Sequence, residues 1–117
     1  MKSGWTEWLL TRVNQVDSFV NMETTEVLAA LAALAQASRL AVFRLLVQHA
    51  PDGLSAGVIA EKLEITPATL SFHLKELHRA GLVAQRQDGR FLWYSANVDA
   101  MNALIDYLTA NCCALGS

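Results

Sequence analysis

No apolar run in this sequence is long enough to cross a bilayer as a helix. The uncharged apolar stretch over residues 27–34 falls far short of the roughly 20 residues such a span needs. An integral membrane protein and a membrane partner are therefore not expected. The first ten residues carry Lys2 and then Trp5, Glu7 and Trp8 in place of an apolar core ending in small residues, so secretion is not expected. Cysteine is scarce, with only Cys112 and Cys113, and a cytoplasmic chain with reduced thiols is the expectation. Repeats, low-complexity segments and Pro/Gly-rich linkers are absent. No serine or cysteine has a histidine and a carboxylate at a recognisable spacing, which argues against an enzyme.

What is present is a chain of 117 residues, 53% of them apolar and 17% charged. That length suits one domain. That apolar share exceeds what a disordered tail carries and leaves surface for a partner. A homodimer is the simplest use of the excess. The net charge of −2 speaks mildly against nucleic-acid binding, but distribution matters more than the sum. Residues 1–65 hold five basic and seven acidic side chains, and residues 96–117 hold only Asp99 and Asp106. Residues 66–95 reverse the sign: Lys75, Arg79, Arg86 and Arg90 face only Glu76 and Asp88.

Periodicity then divides the chain. Trp5, Trp8, Leu9, Val13, Val16 and Phe19 form one helical face, so residues 1–21 read as an amphipathic helical extension before a domain over 22–117. Met22 opens the next helix, with Glu23 and Glu26 in its first turn, and residues 27–35 are apolar nearly all round, as at a subunit interface. Ser38 is the expected cap of a helix carrying Leu40, Val42, Phe43, Leu45, Leu46 and Val47, which Pro51, Asp52 and Gly53 end. Ser55 caps a short helix with Val58, Ile59 and Leu63, and Glu64 and Ile65 connect it tightly to the next, the first requirement of a helix-turn-helix.

Thr66 followed by Pro67 is a strong helix start. Leu70, Leu74 and Leu77 form that helix's buried stripe up to a stop at Gly81, leaving Ala68, Thr69, Ser71, Phe72, His73, Lys75 and Arg79 on the remaining surface. Residues 83–87 and 90–95 flank Asp88 and Gly89, a two-residue hairpin signal. Val98, Met101, Leu104, Ile105 and Leu108 mark a last amphipathic helix ending near Asn111, Cys112 and Cys113. The fold class is mainly α with a small β-hairpin: a winged helix-turn-helix, dimeric.

A helix of this length fits the DNA major groove, where short polar side chains in its N-terminal half reach base edges and phosphates. Thr66, Thr69, Ser71 and His73 suit that task, and Phe72 and Lys75 on the same helix belong with them to the expected DNA-binding set. Arg86 and Arg90 flank the hairpin turn, where cations approach the phosphate backbone or a minor groove. Double-stranded operator DNA is thus the expected partner.

Residues 27–113 resemble the ArsR/SmtB family of metalloregulatory repressors, through LAALAQASRLAVFRLLV and GVIAEKLEITPATLSFHLKELHRAGLVAQRQDGRFLWYSA. The resemblance implies that the helix from Thr66 is the recognition helix, that Ser71 and His73 occupy DNA-contacting positions, and that the first and last helices make the dimer. Phe72 departs from the arginine or lysine often found at its position. The short helix over 55–63 lacks the cysteines of the family's cadmium and lead sensors, and the last helix lacks the histidines of its zinc site.

The cysteines sit in TANCCALGS, at a helix end with little core to fill, where ligand or redox roles outweigh packing. Adjacent thiolates favour soft species. By resemblance to arsenic-responsive members with Asn-Cys-Cys at this place, Cys112 and Cys113 are the expected metal-site residues, with trivalent arsenic or antimony as inducer and no cofactor required. Those members carry a third cysteine downstream that is missing here. A methylated or aryl arsenical suits two thiolates, inorganic arsenite would need a further ligand, and a redox sensor remains the alternative.

Overall fold

The computed structural model describes residues 22–111. The amphipathic segment over 5–20 and the pair Cys112 and Cys113 lie outside the described residues. Among those described, five helices and a three-stranded antiparallel sheet form a winged helix-turn-helix. No single helix there is long and apolar enough to cross a membrane.

Helix α1 (Thr24–Leu34) starts two residues beyond Met22, because the Glu23 N–H donates to Glu26 Oε1 at 2.8 Å and fixes the first turn. Val27, Ala30 and Ala33 face the core, and the small alanines let α2 approach. Helix α2 (Ala37–Gln48) leaves α1 at a bend of 104°. Its cap is Gln36, whose Oε1 accepts the Arg39 N–H at 2.8 Å. The expectation that Ser38 caps it is corrected accordingly, since Ser38 already lies inside the first turn. Val42, Phe43 and Leu46 are its buried face.

The turn after α2 depends on Gly53, at φ 85°, where a side chain would also collide with the Tyr94 carbonyl. That close approach allows a two-residue strand, β1 (Leu54–Ser55), to pair with β3 in the register Leu54↔Tyr94 and Ser55↔Trp93. Ser55 then caps α3 (Ala56–Leu63), its Oγ accepting the Val58 N–H at 3.4 Å. Glu64 adopts the left-handed conformation, and the Ile65 N–H closes the helix end on the Ala60 carbonyl at 3.0 Å.

Helix α4 (Pro67–Arg79) begins where Thr66 Oγ1 accepts the Thr69 N–H at 3.3 Å, as the Thr-Pro pair requires. Gly81, at φ 81°, reverses the chain, and the Leu82 N–H returns to the Leu77 carbonyl at 3.0 Å. The hairpin consists of β2 (Val83–Asp88) and β3 (Phe91–Ala96), with β3 central. Asp88 pairs with Phe91, so the loop is Gly89–Arg90, one residue later than Asp88–Gly89, and Arg90 belongs to the turn. Every residue of β2 after Val83 is exposed, so the tip of the hairpin projects into solvent while Val83 and, on β3, Tyr94 and Ala96 anchor its base in the core.

Helix α5 (Val98–Thr109) is capped by Asn97, which accepts from the Ala100 N–H at 3.1 Å and donates its own amide to the Gly81 carbonyl at 3.0 Å. One side chain thereby ties the helix start to the end of α4. The helix stops at Thr109, short of the expected end, and Asn111 has φ 62°. It packs on α1, with Thr24 Oγ1 and Tyr107 OH 2.7 Å apart. Leu46, Ile59, Leu70, Leu74, Leu77 and Leu82 are fully buried between the helices and the sheet. Truncating one to alanine would cost about 2–5 kcal/mol.

Candidate nucleic-acid interface

Helix α4 has two faces of different chemistry. Leu70, His73, Leu74 and Leu77 are buried, whereas Thr69, Ser71, Phe72, Lys75, His78 and Arg79 are exposed. Thr66, also exposed, is committed as the helix cap: its hydroxyl donates to Thr69 Oγ1 at 3.0 Å while accepting the Thr69 N–H. Each hydroxyl carries one hydrogen. With Thr66's engaged, that of Thr69 is left to donate outward. Arg79 is drawn towards Glu76 at 3.4 Å, but its side chain remains 68% exposed.

His73 is the correction. The sequence pattern predicts a place on the surface beside Ser71, but its exposure is 6%. Its position, three residues after Leu70 and four before Leu77, sets it on the buried stripe. Nδ1 lies 3.4 Å from Arg39 Nη1. A guanidinium has no acceptor, so Nδ1 accepts and is unprotonated. Burial first, and the Arg39 charge second, hold the imidazole below its usual pKa, in keeping with the neutral ring.

Arg39 is a site residue that the sequence pattern alone does not single out. It donates from Nε to the Ala33 carbonyl at 2.7 Å and lies 6.0 Å from the Phe72 ring centroid. It therefore joins the end of α1 to α4 through both His73 and Phe72. The Ala-Ser-Arg run before the apolar face of α2 was its only signal, and its use depends on a partner 34 residues away.

On the hairpin, Arg86 and Arg90 are exposed. Arg86 stands across from Trp93 in the ladder, and its guanidinium lies 5.2 Å from that ring's centroid. The contact orients one cation of the wing while leaving it open to solvent. Strand β2 follows α4 directly and packs against it, so the exposed helix face and the hairpin cations belong to adjoining elements.

A second surface is apolar. Leu28 and Leu31 on α1, and Ile105 and Leu108 on α5, are exposed at 60%, 39%, 48% and 57%. The two helices pack on each other. Leu104, by contrast, is buried in the chain's own core. Among the described residues, no three of His, Cys, Asp and Glu come together as a metal site.

A helix-turn-helix domain family matches residues 34–86. The HTH-type transcriptional regulator YceK of Bacillus subtilis is 38% identical over 73 residues, which are 62% of this chain and 72% of that protein. The transcriptional activator HlyU of Vibrio cholerae is 32% identical over 78 residues, covering 67% of this chain and 69% of that protein. The HlyU structure superposes with a TM-score of 0.62 at 30% identity, covering 79% of this chain and 99% of the other. A structure of reduced HlyU gives 0.61 and 29%, with 77% and 92% covered. The homodimeric winged helix-turn-helix DNA-binding domain of Mb0332 from Mycobacterium bovis, a possible ArsR-family regulator, gives 0.59 and 27%, with 74% and 81% covered. With this element order and these relatives, the chain belongs to the ArsR-like winged helix-turn-helix transcriptional regulators.

Proposed function

We propose that the protein is a homodimeric repressor that holds double-stranded operator DNA and releases it when a trivalent arsenical or antimonite is bound by Cys112 and Cys113. The observation that carries the DNA-binding part is the pairing of an exposed polar face on α4 with the exposed cations Arg86 and Arg90 on the adjoining hairpin. Thr69 and Ser71 are assigned to base edges or nearby phosphates, with Thr66 holding the helix start. Lys75, Arg86 and Arg90 are assigned to phosphates, each neutralised phosphate releasing counterions. His73 acts from within, by fixing the helix against Arg39.

Dimerisation is assigned to the apolar pairs on α1 and α5, supported by the homodimeric relative. Two recognition helices then meet half-sites about 34 Å apart. The cysteine pair follows α5, so ligation there acts on the same helix that joins the subunits. A substituted arsenical with two hydroxyls forms two As–S bonds, releasing two waters as the thiol protons leave. The coupling is reciprocal: operator DNA weakens inducer binding by the factor with which the inducer weakens DNA binding.

A redox reading is favoured by one relative, HlyU, whose structure is described in a reduced form. In that reading peroxide is reduced to water while two thiols become a disulfide, between subunits because a bridge between adjacent residues is strained. Titrating the operator-bound dimer with a trivalent arsenical and with peroxide separates the two. Cys112→Ser and Cys113→Ser are expected to bind operator normally and to resist release by the arsenical. Normal arsenical release of either variant refutes the cysteine assignment.

A further inference from the structure

The residue of α4 least explained by its surroundings is Phe72. It is 55% exposed, although a benzyl group gains from burial, and it is the sixth of the helix's thirteen residues, within the half that meets base edges in a major-groove helix. At 3.6 residues per turn, Phe72 lies about 150° around the helix from the middle of the Leu70, His73, Leu74 and Leu77 stripe. It thus points almost directly away from the core. Ala68, Thr69 and Lys75 share its side of the helix within about 60°. The ring is braced from behind: Arg39 lies 6.0 Å from its centroid and the His73 ring 5.8 Å, tilted by 56°.

A phenyl ring has no hydrogen-bond donor or acceptor, so it cannot read the polar edges of guanine, cytosine or adenine. The major groove offers one apolar group, the C5 methyl of thymine. Resting on the reading of α4 as the DNA-contacting helix, we infer that Phe72 is a specificity residue that packs on a thymine methyl, with the Ala68 methyl beside it. Lys75, three residues on, supplies the phosphate attraction that holds the helix at that depth. The operator half-site therefore contains a thymine that the protein recognises by its methyl group and not by its hydrogen-bonding edge.

The test uses the full-length protein and duplexes selected by it from a random-sequence pool. Each thymine in the footprint is replaced singly by deoxyuridine, which removes the methyl and leaves every hydrogen-bonding group in place. Affinity is read by fluorescence anisotropy at fixed salt. The expected result is one thymine per half-site whose replacement weakens wild-type binding about fourfold, the worth of one buried methyl. Replacement in both half-sites then weakens it about fifteenfold, as independent contacts multiply. Phe72→Ala should fold normally, checked by its unfolding midpoint, and bind thymine and deoxyuridine duplexes equally. Phe72→Leu, still apolar, should keep part of the discrimination. Wild-type binding indifferent to every replacement, or an undiminished methyl effect in Phe72→Ala, overturns the assignment while leaving the DNA-binding reading intact. A wild-type protein that selects no duplex overturns that reading and this inference with it.

Discussion

Replacing His73 separates two accounts of the same residue. If its imidazole touched DNA, His73→Ala would lower operator affinity and leave the fold alone. Its 6% exposure and its contact with Arg39 at 3.4 Å demand the opposite order of effects. The substitution opens space on the Leu70 and Leu77 stripe and removes the acceptor of Arg39 Nη1. A lost hydrogen bond to a charged group and a partial cavity together cost at least about 2 kcal/mol. For a domain of this size that lowers the unfolding midpoint by roughly 8–16 °C. A pH signature accompanies it. The folded-state pKa lies below the ordinary 6.5, so the unfolded chain binds the proton more readily. Stability from this group is complete above pH 6.5 and is lost as pH falls through the lowered folded value, at no more than about 1.4 kcal/mol per pH unit. Unfolding followed by circular dichroism between pH 7.5 and 4.5, roughly the range in which a histidine titrates, would compare wild type with His73→Leu. The leucine variant should lack this part of the acid sensitivity. His73→Ala as stable as wild type, with an unchanged pH profile, would refute the placement and return His73 to the DNA-facing surface.

Other substitutions test other joints. Gly53→Ala sets a β-carbon against the Tyr94 carbonyl at a positive φ, and should cost about 1–3 kcal/mol in thermal unfolding; a neutral effect would contradict the close β1–β3 approach. Leu108→Glu, on a side chain 57% exposed, should yield folded monomers by sedimentation with operator affinity lost, whereas Leu104→Ala should destabilise the fold itself by about 2–5 kcal/mol. A Leu108→Glu dimer of full operator affinity would remove α5 from the subunit contact.

The parts of this fold that were legible in the sequence are those set by local chemistry. Thr66 with Pro67 and Ser55 before its short helix each fix a boundary through neighbours a few residues away, and Asp88 with Gly89 marks the hairpin to within one residue. Several of the misplaced features depend on distant partners. Gln36 displaces Ser38 as a cap because the α1–α2 bend carries the chain past it in an extended conformation. The hairpin loop falls one residue later because Asp88 still pairs with Phe91 and Gly89, at φ 65°, takes the first turn position. Strand β1, two residues long, has no periodicity to detect. The polarity of histidine points His73 outward, although its spacing from Leu70 and Leu77 fits the buried stripe. Leu104 and Leu108 looked equivalent on one apolar helix, and only the packing of α5 on α1 separates core from open surface.

The central claim, that α4 and the hairpin grip DNA together, is tested most directly by the salt dependence of operator binding in wild type and in the double variant Arg86→Ala, Arg90→Ala. Both side chains are exposed and lie on the hairpin outside the core, so the variant should fold normally. Each phosphate contact contributes about 0.9 to the slope of log K against log salt. The account predicts a slope shallower by up to about 1.8 per subunit, with affinity reduced for operator and random duplex alike. An unchanged slope and affinity in a folded double variant would contradict it.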